Sequence, residues 1–254
     1  IILVVMKVSD LSSWVIINLS RWRNMFEKNL LFKALLKNIL FILFLYSVYN
    51  YFIFFKWYLG DTQIIIENAY YLSLKSSVPL FLFVFFIHIF FHKNEIDAAQ
   101  VISFPPILFL FSSNCGFLLA TTNMYYLQLY KIPEFFDLLR SNVAGLIFII
   151  IAVIIISSAL RKFKSNSEDP NPTSSSTQIF CDGIYKYTRN PMYLGLILFQ
   201  IGLGMILSMV HIIFFTLFTY LVYRYGVIER EEIYLSQKFG KSYKQYMQKT
   251  GRWF

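Results

Sequence analysis

The residues best suited to chemistry lie between Gly183 and Gly195, where the chain reads Gly-Ile-Tyr-Lys-Tyr-Thr-Arg-Asn-Pro-Met-Tyr-Leu-Gly. Asn190 and Pro191 have the character of an N-cap and first residue of a helix, since Asn can accept from a free N–H and Pro is pre-set for the first turn. A helix N-terminus presents positive dipole and open donors, and Arg189 stands directly before it. Together they suit a carboxylate or phosphate. Gly183 and Gly195 would allow close backbone approach to a ligand. Tyr185, Tyr187 and Tyr193 offer aromatic faces for a cation or an adenine ring. The same run also reads as a capped, basic, aromatic segment that leads a helix into a membrane.

A second cluster follows at Glu229, Glu231 and Glu232. Beyond it, Leu235, Phe239, Tyr243 and Tyr246 share one helical face that Gly240 interrupts, with Lys238, Lys241, Lys244 and Lys249 mainly between them. An amphipathic tail lying on a membrane, its carboxylates paired with nearby Lys or Arg, is the competing reading. His88 and His92 share a helix face but have no third ligand nearby, so hydrogen bonding is expected there and a metal site is not. Cys115 and Cys181 show no metal spacing.

The elements that position these groups are membrane spans. The chain is 57% hydrophobic and 15% charged, against about 25% charged in soluble domains. Residues 38–55, 76–92 and 141–160 each suit one apolar crossing of about 20 residues. Residues 98–130 are expected to cross once and then lie at the interface, with Tyr125, Tyr126 and Tyr130 as belt aromatics. Residues 191–223 read as a hairpin of two short helices, turning near Gly202–Gly204 or near Ser208–His211. The fold class is therefore all-α: a polytopic membrane bundle of about six spans, five if the hairpin only re-enters, with a C-terminal helical segment on the cytosolic face.

Of the 23 Lys and Arg, only Lys56, Lys75, Lys131 and Arg140 fall in outer segments when the N-terminus is inside. That bias predicts both termini in the cytoplasm and places Arg189 and Glu229–Phe254 on one face. The net charge of +9 then favours anionic headgroups, not nucleic acid. The basic stretch 1–37, with Trp14 and Trp22, reads as a flank that orients the first span or as an interfacial helix. Ionisable groups inside the spans are limited to His88, His92 and His211, which disfavours a transporter.

In this order, the Gly183–Gly195 run, an apolar hairpin, Glu231-Glu232-x-x-Leu235 and Phe239-Gly240-x-x-Tyr243-x-x-Tyr246 resemble the integral-membrane methyltransferases. These comprise the isoprenylcysteine carboxyl methyltransferases and the related phospholipid methyltransferases. The resemblance covers residues 141–254; residues 1–140, with three predicted spans, carry no matched motif. It implies an S-adenosylmethionine pocket built from the loop before the hairpin and from the C-terminal segment. Carried over by position, Gly183, Tyr185, Arg189, Pro191, Tyr193, Gly195, Glu231 and Glu232 fall on the cofactor motif, and Arg189, Asn190 and Glu232 on the catalytic one. Many members have His where this chain has Asn190, although Asn is common in bacterial-type relatives. On this resemblance Arg189 and the helix N-terminus would take the donor's carboxylate, and the Glu pair its amino group or ribose hydroxyls. The acceptor would be a lipophilic molecule arriving from the lipid, most like a prenylcysteine carboxylate, alternatively a phospholipid amine. A non-enzymatic membrane scaffold is the reading of a different class.

Overall fold

The computed structural model describes residues 29–60 and 66–254, and among these every regular element is helical. The basic stretch up to Lys28 and the 61–65 connection lie outside the described residues. The elements are α1 (Leu30–Tyr58), α2 (Ile66–Phe91), α3 (Pro105–Thr122), α4 (Asn142–Ser165), α5 (Pro191–Ile206), α6 (Val210–Tyr223), α7 (Glu229–Phe239) and α8 (Lys241–Lys249). A π-helical turn, Asn123–Leu127, extends α3, and a second, Arg224–Ile228, joins α6 to α7. The helix starts follow local chemistry. Asn29 and Ser141 cap α1 and α4 with side-chain oxygens, and Pro105 opens α3 where its missing N–H costs nothing.

Among the described residues, five helices are long and apolar enough to cross a membrane: Leu30–Tyr58, Asn68–Phe91, Pro105–Leu127, Asn142–Ser165 and the continuous rod Val210–Phe239. Their outward faces carry large apolar side chains such as Phe41, Phe52, Phe85, Leu146 and Leu217, as lipid contact requires. The 16-residue α5 is about 24 Å long, short of a hydrocarbon core of about 30 Å. The rod Val210–Phe239 has the opposite mismatch, at about 45 Å for 30 residues. Its charge-free part ends at Tyr223, 14 residues or about 21 Å from its start, and Arg224 and the charged α7 lie beyond it.

The hairpin turns at Ser208, which adopts φ 53°, with Met209 N–H donating to Gly204 O at 2.9 Å. Gly202 and Gly204 lie instead within α5, where their missing side chains let helices touch. A Cβ on Gly202 would sit 2.7 Å from Gly145 O of α4, and one on Gly145 would sit 2.8 Å from Gly202 O. Small residues at such crossings are how membrane helices approach closely enough to gain dispersion energy. Polar side chains inside the bundle are paired across helices. Gln200, fully buried, donates to Ser112 Oγ of α3 at 3.1 Å and accepts from Thr219 Oγ1 of α6 at 2.7 Å. Asn114 accepts from Tyr51 of α1 and donates to Ser77 O of α2 at 3.0 Å.

Phe54 of α1 packs with Phe117, Leu207 and Met209, so the hairpin turn lies at the end of the bundle where α1 finishes. The start of α5, the end of α4 and α7–α8 gather at the other end, around Ala159, Phe180, Tyr185, Tyr243 and Tyr246. Gly202→Val should overpack the α4–α5 crossing by about 1–3 kcal/mol. Thermal unfolding in detergent checks this: the midpoint should fall clearly for Gly202→Val, while lipid-facing Leu146→Ala stays within about 0.5 kcal/mol of the native protein.

Candidate active site

A loop from Asn166 carries the chain from α4 to a short 3₁₀ turn, Gly183–Lys186, and so to α5. Gly183 adopts φ +60°, and nothing lies within 4 Å of where its Cβ would be. Its role there is the turn. Gly195 serves helix packing, since a Cβ there would run into Ile156 of α4. Neither glycine lines the cavity described below, and Tyr187 is exposed. Pro191 takes the first helical position as expected, but Asn190 does not cap α5 with its side chain. Its Nδ2 donates to Arg252 O at 3.0 Å instead, because the C-terminal tail crosses directly over the helix start.

The tail is held there by one buried charge cluster. Arg189 Nη2 donates to Glu232 Oε1 at 2.6 Å, and Arg252 Nη2 to Glu232 Oε2 at 2.6 Å, with Arg252 Nε 3.2 Å from Oε1. The side chains of Arg189 and Glu232 are only 10% and 12% exposed. Arg189 Nη1 donates to Met247 O and Thr250 O at 3.1 and 2.6 Å, satisfying carbonyls at the end of α8. Arg189 N–H donates to Gly251 O at 3.1 Å and Thr188 Oγ1 to Arg252 O at 3.2 Å. The guanidinium expected to await a ligand's carboxylate is thus largely engaged within the protein; only its buried Nε has no partner. Burial pushes the Glu232 carboxyl up, but the guanidiniums of Arg252 and Arg189 outweigh it and hold it below the ordinary carboxylate range.

Glu231, one residue earlier, meets a different environment. Its Oε2 accepts from Tyr193 OH at 2.7 Å, and no guanidinium reaches it among the described residues. Burial pushes its carboxyl up to about 7; the Tyr193 hydroxyl opposes this and the Glu232 charge adds to it. Adjacent carboxylates are thereby set to different protonation states near neutral pH, a pattern that separates acid–base from structural roles.

Both carboxylates line a cavity of about 780 Å³, counted with its open mouth. Tyr185, Arg189, Asn190, Pro191 and Tyr193 join them, with Tyr243, Tyr246 and Phe180 supplying aromatic walls. The loop after α4 forms the remaining wall. Residues Pro170–Pro172, Met192 and Tyr193 also border a second, almost wholly apolar cavity between Phe104–Pro106, Ile156, Leu160 and Leu196. A polar and an apolar chamber therefore share one partition at the membrane boundary.

The loop is tied down from both sides. Glu95 N–H donates to Thr173 O at 2.9 Å, and Ser175 N–H donates to Glu95 Oε2 at 2.8 Å. Lys238 of α7 bonds Asp97 at 2.6 Å and Ser175 Oγ at 2.8 Å, while Tyr234 OH accepts from Ser176 N–H at 3.0 Å. His92 and Asn94 fix the 92–104 segment by bonding Val101 O, and His88 bonds Ser103 Oγ.

Sequence reasoning did not single out Arg252, Thr188, Glu95 or Asp97. A signal existed for Arg252: it is one of the cations of the C-terminal segment that the topology sets on the same face as the Glu cluster. None existed for Glu95 and Asp97, whose shared partner Ser175 lies 80 and 78 positions away. Glu232→Ala would strand two guanidiniums around a buried gap and cost about 3–5 kcal/mol. Limited proteolysis should then release the segment after Lys249 at protease levels that leave the native protein intact.

Residues 141–242 match the model of the phospholipid methyltransferase family. No curated protein and no solved structure matches the chain. Arg189, Glu231 and Glu232 fall inside the matched stretch, whereas Arg252 and the loop anchors Glu95 and Asp97 fall outside it. The hairpin, the loop before it and the α7 carboxylates are thus similar to the phospholipid methyltransferase family, a family of membrane methyltransferases.

Proposed function

We propose that this protein is an integral-membrane, S-adenosylmethionine-dependent methyltransferase that acts on the amino group of a lipophilic acceptor, with Glu231 as the proton acceptor. The donor pocket faces the cytoplasm in this reading. The spans before residue 140 act as scaffold and, through Glu95 and Asp97, as anchors of the loop that walls the pocket.

The residues of the polar cavity suit the donor. The orphaned, buried Arg189 Nε is a donor left over for an anionic group. The rings of Tyr185, Tyr243, Tyr246 and Phe180 are suited to an adenine face or a cation. When bound, S-adenosylmethionine supplies a methyl group activated by a positively charged sulfur.

The observation that carries the acceptor class is the contrast between Glu231 and Glu232. Arg189 and Arg252 are balanced by Glu232 and Glu229 together, Glu229 Oε1 lying 3.9 Å from Arg252 Nη1, so a carboxylate acceptor would find Glu231 beside it and little compensating positive charge. A protonated amine finds the reverse. Glu231 keeps one oxygen, Oε1, free of any hydrogen bond among the described residues while Tyr193 orients the other. Oε1 accepts the ammonium proton and frees the nitrogen lone pair. The apolar chamber behind Tyr193 and Met192 accommodates the acceptor's hydrocarbon part and keeps water from the reacting nitrogen. Positioning of nucleophile and donor then supplies much of the rate.

Glu231 must be ionised to take the proton, so activity should be low at acid pH and rise as pH passes about 7. The same shift has the opposite sign for folding. A carboxyl that holds its proton more tightly when folded stabilises below the usual carboxylate range, and loses that contribution as pH rises to about 7. Glu231→Gln should lower the rate by about 10²–10⁴-fold and abolish its rise with pH, with donor binding retained. The assay incubates membranes with methyl-labelled donor and separates lipid amines, base-labile esters and small molecules. Label confined to base-labile protein esters would replace the amine with a prenylcysteine carboxylate. No label in any fraction and no donor binding would favour a scaffold.

A further inference from the structure

At the opposite end of the bundle from the donor pocket lies an open bowl of about 1,230 Å³. The end of α1 at Tyr58, the π-helical turn after α3 and the α5–α6 turn at Ser208–Val210 frame it. Its charged lining residues are Lys131 and Arg140, and no carboxylate lines it. Lys131 has no ion pair or hydrogen bond among the described residues. Arg140 makes a single contact, Nη1 to Asp137 Oδ1 at 2.9 Å, which leaves the rest of its guanidinium uncommitted.

The bowl is held in shape by buried groups. Asn123, 8% exposed, donates through Nδ2 to Tyr130 O at 2.9 Å. Its Oδ1 accepts from Leu129 N–H and Tyr130 N–H at 3.1 and 3.3 Å. The Tyr130 hydroxyl meets His211 Nε2 at 2.7 Å. The segment that presents Lys131 is thereby pinned to α3 and α6. Exposed Leu127, Leu129, Phe135 and Leu138 flank it in the chain, the company expected at the boundary between headgroups and acyl chains.

We propose that this bowl binds a phosphate group, Arg140 offering paired N–H donors and Lys131 a point charge. Arg matches phosphate geometry and Lys supplies charge at the same anion, and basic pockets between membrane helices take lipid headgroups. The phosphate belongs either to a phospholipid in the leaflet opposite the donor pocket or to free inorganic phosphate. The site is separate from methyl transfer, since a full span of α4, 24 residues or about 36 Å, lies between the two ends.

The test uses the purified full chain in a neutral detergent. Dioctanoyl phosphatidylglycerol, dioctanoylglycerol and inorganic phosphate are titrated and binding is read by calorimetry. The lipid phosphate should bind at one saturable site, more weakly as salt rises, and dioctanoylglycerol should not. Lys131→Ala with Arg140→Ala should weaken binding at least tenfold, and Lys131→Arg should keep it. Lys56→Ala, which removes an exposed cation at the end of α1 outside the bowl, should leave it unchanged. Displacement of the lipid by comparable concentrations of inorganic phosphate assigns the site to the free anion; failure to displace assigns it to the headgroup. If the double variant misfolds, Lys131→Ala alone decides, because Lys131 supports no contact in the fold. Equal affinity in native and Lys131→Ala protein, or dioctanoylglycerol binding as tightly as the phospholipid, overturns the proposal.

Discussion

Two guanidiniums on one buried carboxylate organise the polar end of this molecule. Glu232 is reached by Arg189 from the start of the hairpin and by Arg252 from the end of the chain. Three segments remote in sequence are joined at a point that water barely reaches. Each charge there is expensive to bury alone. The cluster is tolerable because Glu232 is doubly paired and Arg189 also satisfies the last carbonyls of α8. The tail cannot leave without stranding Arg189, and Arg189 cannot turn away without stranding Glu232. The position of Asn190 follows from the same arrangement, its amide drawn to the Arg252 carbonyl and away from the helix it precedes.

The bilayer imposes the second constraint. Backbone polar groups in hydrocarbon must be satisfied within helices, so irregular chain is confined to the ends of the bundle. The loop after α4, the 92–104 segment and the tail all gather at one end, and the chambers form between them. The short α5 fits this economy of length. It begins at the charge cluster and turns back at Ser208 before completing a full hydrocarbon thickness, held against α4 by the Gly145–Gly202 contact. The long rod from Val210 does the reverse and carries Glu231 and Glu232 out of the apolar layer to meet Arg189.

The helical class and the pairing of the Gly183–Gly195 run with Glu231–Glu232 were legible in the sequence because both leave local signatures. Charge-free runs mark crossings, and the alternation of inner and outer segments forces distant motifs onto one face. Leu235, Phe239, Tyr243 and Tyr246 were legible as one face for the same reason, and they pack against Phe163, Phe180 and Tyr185 with Gly240 as the break at φ +55°. What escaped was which partner each polar group chooses. The hairpin turn stayed open between Gly202–Gly204 and Ser208–His211 because Gly is both a turn former and a contact residue, and only the neighbouring helix decides between the two. Arg189 read as a free anion clamp because nothing local reveals that Glu232 and the α8 carbonyls already occupy it. Glu95 and Asp97 look like ordinary solvated acids until the loop they fasten is seen beside them.

Glu231 and Glu232 also show how adjacent residues on one helix acquire different chemistry. Successive positions on α7 point about 100° apart. One side chain is thereby turned to the guanidiniums, the other to Tyr193 and the partition between the polar and apolar chambers. Pairing lowers the first carboxyl and burial raises the second. Exchange of these environments would need a rotation of α7 that breaks the Lys238–Asp97 and Tyr234–Ser176 contacts. The Asp97 tie, which reaches outside the family-matched stretch, and the Ser176 tie within it therefore do more than close a loop. They fix the rotation of α7, and with it which carboxylate faces the guanidiniums and which faces Tyr193 at the partition between the chambers.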